Sequence, residues 1–162
     1  MERISVADVD QAALSGRTDR RALDEALGTT DVAVKYYELA PGDAFSGGYH
    51  THHDQEELFY VLSGTATFDT EAGEAAVAVD AGEAIRFAPG EFQHGYNAAD
   101  DGPVVRALAL GAPPGMDETV TVFTCPACGE ETRHDVDLDE AAGVSVTECR
   151  ACGDVVRTDL DG

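Results

Sequence analysis

Between residues 31 and 110 the chain repeats one pattern: a short run rich in β-branched and aromatic residues, then a turn containing glycine. DVAVKYYELAPG is followed by LFYVLSG, then by TATFDTEAGEAAVAVDAG with a turn inside it, then by EAIRFAPG and PVVRALALG. Turn signals recurring roughly every 8–12 residues between such runs are the spacing of an antiparallel sandwich or barrel. No long helical pattern separates the runs, which argues against a parallel sheet with crossover helices. The spacing therefore predicts an all-β domain over residues 32–110.

The flanks read differently. Residues 1–31 are polar, with one amphipathic patch in which Ala22, Leu23, Ala26 and Leu27 share a helix face. Thr18 or Asp19 is suited to cap the start of a short helix there, and Gly28 to end it. GAPPGMDET, residues 111–119, is a Pro/Gly-rich linker. Residues 120–162 then form a second, smaller unit. No internal repeat has the period of a solenoid or propeller.

With 32 acidic and 10 basic residues the net charge is −22, and Lys35 is the only lysine. Such a surface repels phosphate backbones, so nucleic acid is not an expected partner. The composition resembles that of proteins from salt-loving archaea, where dissolved salt screens the self-repulsion. Hydrophobic residues make up 43% of the chain, enough for a real core. No apolar run reaches membrane-spanning length, and the first residues lack the basic-then-apolar pattern of a secretory leader. A cytoplasmic location and no membrane association are the expectations.

The densest chemistry lies in GYHTHHDQEELFYVLSG, residues 48–64. On a strand, His50 and His52 share one face, about 6–7 Å apart, while His53 points away. Residues 53–56 are polar enough to turn, and Glu57 can swing back beside the two imidazoles. Two neutral imidazoles and a carboxylate suit Fe(II), Mn, Ni, Co or Zn. The spacing His50-x-His52, four residues, Glu57, six residues, Gly64 resembles the first motif of the cupin superfamily. One departure is Ala44, where the family usually has glycine; Gly42, Gly47 and Gly48 lie nearby. The second motif of the family has its counterpart in GEAIRFAPGEFQHGYN, from Gly82 through Pro89 and Gly90 to Asn97. Ala88 stands in place of a proline, and Gln93 in place of the ligand histidine. His94 comes one residue later, and strand neighbours face opposite ways. Either Gln93 faces the metal or a bulge turns His94 inward.

The resemblance implies a small single-domain cupin, an antiparallel jelly-roll barrel with a metal inside. It also implies that Phe59 and Val61 point inward with Glu57. Tyr49, Tyr60, Phe87, Phe92 and Tyr96 are candidate pocket or packing aromatics, and Phe68 is a core residue. A homodimer is a further implication.

Cys125, Cys128, Cys149 and Cys152 form two Cys-x-x-Cys pairs separated by 20 residues, each followed by a glycine, Gly129 or Gly153. Four thiolates at this spacing make a closed tetrahedral zinc site. CPACG and CRACG resemble the knuckles of a zinc ribbon, with TRHDVDL and VSVTE as hairpin strands. Disulfides are disfavoured in a reducing cytoplasm, and a thioredoxin-like site would need a βαβ setting. So small a unit has almost no core, so zinc should supply its folding free energy. His134 reads as a solvent-facing side chain. Residues 116–162 carry 12 acidic residues against Arg133, Arg150 and Arg157, so the ribbon is suited to protein docking or to stabilising the barrel.

Two functions are compatible with these features. One is a binding protein whose barrel holds a divalent cation and a small molecule. The other is a metal-dependent enzyme, dioxygenase-like or isomerase-like, with His50, His52 and Glu57 as ligands. In the second, Gln93 or His94 is the fourth ligand or a substrate contact, and Glu56 is a supporting or acid–base group. Neither a Ser/His/Asp arrangement nor a Gly-rich phosphate loop is visible.

Overall fold

The computed structural model describes residues 1–11, 18–71, 74–115, 118–139 and 143–159. After one 3-10 turn at Val6–Asp8 come β1 (Asp19–Ala22), α1 (Leu23–Leu27), β2 (Ala33–Leu39), β3 (His50–His52), β4 (Glu56–Ser63) and β5 (Thr65–Asp69). There follow β6 (Val77–Asp80), β7 (Ala84–Phe87), β8 (His94–Tyr96), β9 (Val105–Ala112) and β10 (Thr119–Thr124). The last three strands are β11 (Glu131–Asp139), β12 (Val144–Cys149) and β13 (Val155–Asp159). Among the described residues no helix is long and apolar enough to cross a membrane.

One sheet has the order β1-β2-β9-β4-β7. The opposite face is built from β6-β5-β8 and from β3-β10-β11-β12-β13. The isolated bridge His50↔Gln93 joins those two pieces at the β3/β8 seam, and Ala44↔Tyr96 pairs the chain ahead of β3 with β8. The strands pair antiparallel throughout, as in β2 with β9 and β4 with β9. Two antiparallel layers closed over one core make a jelly-roll barrel.

Alternation along the strands sets what faces the core. On β4, Phe59 and Val61 are buried, while Tyr60 and Leu62 are exposed outside. Leu39, Phe45, Phe68, Phe87, Val105, Ala107 and Ala109 complete the interior with Phe59 and Val61. Burying a side chain such as Phe59 or Leu39 contributes about 1.5–3 kcal/mol. Gly64, φ 79°, turns the chain out of β4, where an added Cβ would lie 3.1–3.2 Å from Val104 and Val105.

The N-terminal region departs from the expected capping. Residues 19–22 are not the entry to a helix but an edge strand, in register Asp19↔Glu38 to Ala22↔Lys35. Thr18 donates its hydroxyl to the Ala44 carbonyl at 3.0 Å, and Asp19 pairs with Arg21 at 2.9 Å, so neither caps a helix. The cross-strand partners in β2 outweigh the helical pattern of four small apolar residues. The helix that remains spans five residues and ends at Gly28, in left-handed conformation as expected. Lys35 anchors it through Asp24 at 2.8 Å.

At the other end, β9 runs on to Ala112 and β10 opens at Thr119; residues 116–117 of the expected linker lie outside the described residues. β10 pairs with β3, in register Thr119↔His52, Val120↔Thr51 and Thr121↔His50. The cysteine-bearing unit is thus an extension of a barrel sheet.

Candidate metal centres

His50 and His52 lie on the same face of β3 because the strand repeats every two residues. Both are buried, and their rings stand 5.0 Å apart. Glu57, second residue of β4, faces them from the neighbouring layer. One ligand atom from each of the three lies within 4.8 Å of the others. The outer nitrogens are already engaged: His50 Nδ1 with the Gly48 carbonyl at 2.9 Å, and His52 Nδ1 with Thr119 Oγ1 at 2.9 Å. With Nδ1–H donated to the Gly48 carbonyl, His50 keeps its Nε2 lone pair for a metal, and His52 does the same when its Nδ1–H is donated to Thr119 Oγ1.

Backbone pairing decides between Gln93 and His94. His50 N–H donates to the Gln93 carbonyl at 3.0 Å, and Gln93 N–H to the His50 carbonyl at 2.8 Å. Residues paired in this way project side chains to the same face. Gln93 is accordingly buried in the cluster, its Nε2 donating to Glu57 Oε2 at 2.9 Å and lying 3.3 Å from His50 Nε2. Its Oε1 is buried with no partner. His94 points the other way, its ring 5.4 Å from that of Tyr96 and its strand position opposite Asp69. No bulge brings it inward.

Other side chains in this region also find their places. Glu56 is on the outer face of β4, bound to Arg86 at 2.7 Å, so it is not a supporting group of the cluster. Tyr60 is exposed outside the barrel. Phe87 belongs to the core and borders the site, Tyr49 stacks on Phe92 at 5.3 Å, and the Tyr96 hydroxyl meets Asp69. Beside His52, Glu57 and Gln93 lies a cavity of about 10 Å³, lined also by Thr51, Gln55 and Phe87. That is room for one water-sized body.

Burial sets the electrostatics. It pushes the Glu57 carboxyl up to about 7, against the opposing effects of the Gln93 hydrogen bond and the Arg20 charge. It pulls His52 down to about 4, helped by the neighbouring His50, and lowers His50 as well. Neutral imidazoles are the ligand form. The unpartnered amide oxygen, the small cavity and the neutral histidines all fit a cation held by this donor set.

Three residues of this surrounding have no motif signal in the sequence. Gln55 is buried, donating to the carbonyls of Pro113 and Gly115, and fills the space over Gly111. Thr119 reaches His52 from 67 residues away. Arg20 stands opposite Tyr37 on the core-facing side of β1, with a buried Nε that has no partner. The register Arg20↔Tyr37 puts Arg20 on the inner face of β1, a placement that depends on pairing with β2.

The second cluster is formed by Cys125, Cys128, Cys149 and Cys152, whose sulfurs all lie within 4.8 Å of one another. Two matching turns carry them: Gly129 N–H donates to the Cys125 carbonyl and Gly153 N–H to the Cys149 carbonyl, both at 2.8 Å. Gly129 and Gly153 have φ of 73° and 75°, a conformation glycine adopts without strain. The Cys128 backbone N–H is the main cause that draws the Cys125 thiol down to about 6, with His134 contributing. Four thiols so placed could bind a metal, in the arrangement of a zinc ribbon. His134 is not solvent-facing: it is 1% exposed, its ring stacked 3.6 Å from Phe123. The pairing of β11 between β10 and β12 covers it, a context that the surrounding polar residues hide.

Comparison with known proteins agrees with this geometry. Residues 35–110 match the family model described as Cupin domain. No curated protein matches the chain. A sugar phosphate isomerase of the cupin superfamily from Silicibacter pomeroyi superposes with a TM-score of 0.63 at 17% identity, covering 99% of this chain and 94% of its own. A polyketide cyclase from Streptomyces resistomycificus gives 0.62 at 22% identity, covering 78% and 88%. A cupin protein from Bacteroides fragilis gives 0.55 at 24% identity, covering 70% and 85%. At these identities the likeness speaks for the fold. Residues 35–110 are thus similar to a cupin domain, and the fold and the motif residues agree with that match.

Proposed function

We propose that the barrel binds a divalent transition metal, Fe, Mn, Ni or Zn, through His50, His52 and Glu57, together with a small molecule, and that the four cysteines hold a structural zinc. The observation that carries the reading is the convergence of one atom from each of His50, His52 and Glu57 within 4.8 Å, inside a buried donor set. Gln93 is the fourth donor. Turning its amide about χ3 exchanges Nε2 for the unpartnered Oε1, and places an oxygen where a cation would want one. A bound divalent ion would supply Lewis acidity and open coordination positions. The chain's own residues set the histidine tautomers, keep bulk water out, and give Glu57 a proton to release when the cation enters. Metal analysis of protein purified without chelators tests the reading. One barrel metal and one zinc per chain are expected, with the barrel metal lost in His52→Ala. Retention of full metal content in that variant refutes it.

A metal-dependent enzyme is the second reading, and Arg20 favours it. A guanidinium with a buried, unpartnered Nε, whose charge acts on Glu57, suits an anionic substrate. Two of the structural neighbours carry enzyme names, a sugar phosphate isomerase and a polyketide cyclase. Turnover of phosphorylated sugars or keto acids by metal-loaded protein would establish it. A thermal shift by the same compounds without turnover leaves the binding protein as the answer.

A further inference from the structure

The cysteine unit has few buried side chains of its own. Among the described residues from 125 to 159, only Cys125, His134 and Cys149 are buried. A three-stranded sheet with so little apolar cover depends on its metal for order. Its first strand, β10, is nevertheless the main support of β3, the three-residue strand that carries both metal-site histidines. On its other side β3 has the bridge His50↔Gln93 and one further bond, from Gly90 N–H to the His52 carbonyl at 2.8 Å.

Five contacts tie the strands. The Thr119 hydroxyl meets His52 Nδ1 at 2.9 Å. Thr121 donates its hydroxyl to the Tyr49 carbonyl at 3.1 Å, and Val122 N–H donates to the same carbonyl at 2.9 Å. His53 N–H donates to the Glu118 carbonyl at 2.9 Å. From β11, the Arg133 guanidinium lies 5.0 Å over the Phe92 ring, next to Gln93. The same β10 ends one residue before Cys125, and its Thr121 pairs with His134, which pairs in turn with Cys149.

We infer that the ribbon is a working part of the barrel metal centre: metal held by the four cysteines orders β10, and β10 positions His52 through Thr119. The two histidines differ in this respect. His50 takes its Nδ1 partners, Gly48 O and Ser46 Oγ, from its own loop, whereas His52 borrows its partner from the ribbon strand. Occupancy of one metal site therefore raises affinity at the other, and the coupling is reciprocal. The inference rests on the metal-centre reading proposed above.

Mn2+ separates the two sites, because hard Mn2+ prefers the barrel donors to a set of four thiolates. Its affinity is measured on the full zinc-loaded chain, on Thr119→Val, on Thr119→Ser, and on the zinc-free Cys128→Ser/Cys152→Ser variant. Losing the partner of a ligand histidine typically weakens metal binding about 10–100-fold. Thr119→Val should show that loss, and Thr119→Ser should restore affinity to within about threefold by keeping the hydroxyl. The zinc-free variant should lose a similar factor, and adding Thr119→Val to it should cost less than about twofold more, since coupled changes are not additive. Wild-type Mn2+ affinity in both the zinc-free variant and Thr119→Val overturns the coupling. A chain whose barrel binds none of Mn2+, Fe2+, Ni2+ and Zn2+, or one that keeps its barrel metal in His50→Ala, overturns the metal-centre reading and takes the coupling with it.

Discussion

Gln93 Nε2 sits 2.9 Å from Glu57 Oε2, so an amide and a carboxylate from opposite layers of the barrel are already in contact where a cation would sit. The amide N–H thereby satisfies one oxygen of a desolvated carboxylate. The contact also gives Gln93 two roles, hydrogen-bond donor to Glu57 and oxygen donor to a metal. Gln93→Ala removes both. Divalent-metal affinity should fall about tenfold, in line with other changes around metal ligands. Gln93→His restores an imidazole at the position and should bind Ni2+ or Zn2+ more tightly than wild type, since imidazole suits those ions. Calorimetric titration of the three proteins checks both; equal affinities would remove Gln93 from the site.

Protonation of Glu57 sets the pH dependence. Its pKa is about 7 in the folded chain without metal, above its ordinary 4.5, because burial penalises the charged form. The folded state therefore holds this proton more tightly than the unfolded one. The associated stability is complete below about 4.5 and is lost as pH rises through 7, about 3 kcal/mol in all. His52 runs the opposite way. Its folded pKa of about 4 lies below the ordinary 6.5, so its contribution is present above 6.5 and lost as pH falls through 4. Metal-depleted protein should lose denaturant stability between pH 5 and 8 relative to Glu57→Gln, whose amide has no proton to lose. Metal affinity of the wild type should rise about tenfold per pH unit up to about 7 and then level off, as a competing proton requires. A flat profile from pH 5 to 8 would contradict the Glu57 assignment.

Gly95 is where the sheet bearing β8 packs against the aromatic core. A Cβ there would lie 2.4 Å from Phe68 Cε1 and 2.7 Å from Phe45 Cδ2. Neither ring can retreat, since Phe45 and Phe68 are stacked at 5.7 Å and both pack on Phe59. Gly95→Ala should cost roughly 2–3 kcal/mol through overpacking. The melting temperature should then fall by roughly 5 °C or more, which thermal unfolding followed by circular dichroism would show.

Much of this architecture could be read directly from the chain because it depends on local spacing. The two-residue period puts His50 beside His52, and Phe59 and Val61 on the inner face. The four-residue gap to Glu57 closes the triad, and the paired Cys-x-x-Cys pattern brings four sulfurs together. What could not be read depends on contacts distant in sequence. Gln93 is separated from His94 by the backbone pairing of residue 93 with His50, and a count of positions does not contain that register. Thr119 meets His52 through a strand pairing across the expected linker. His134 looks polar among TRHDVDL yet is covered by its neighbours on β10 and β12. Residues 19–22 carry a helical apolar pattern, but hydrogen bonds to β2 are worth more than the first turn of a short helix. That choice turned Arg20 toward the core.

Asn97 closes the second motif and holds the barrel end together without touching a metal. Its side-chain nitrogen donates to the carbonyls of Leu39 at 3.0 Å and Pro103 at 3.1 Å, and its oxygen accepts the Ala99 N–H at 3.2 Å. Three chain segments are thus tied through one buried amide, and each loses a partner if it goes. Asn97→Ala should destabilise the fold by roughly 2–4 kcal/mol, because a buried carbonyl left unpaired costs more than the bond it loses. Asn97→Asp should be worse above pH 5: the carboxylate can still accept from Ala99, but it presents an oxygen to two carbonyl oxygens. Urea unfolding of both variants measures the difference. Residual metal affinity of the folded fraction should match wild type, since neither change reaches His50, His52 or Glu57. A variant that lost metal with its stability intact would instead place Asn97 in the site.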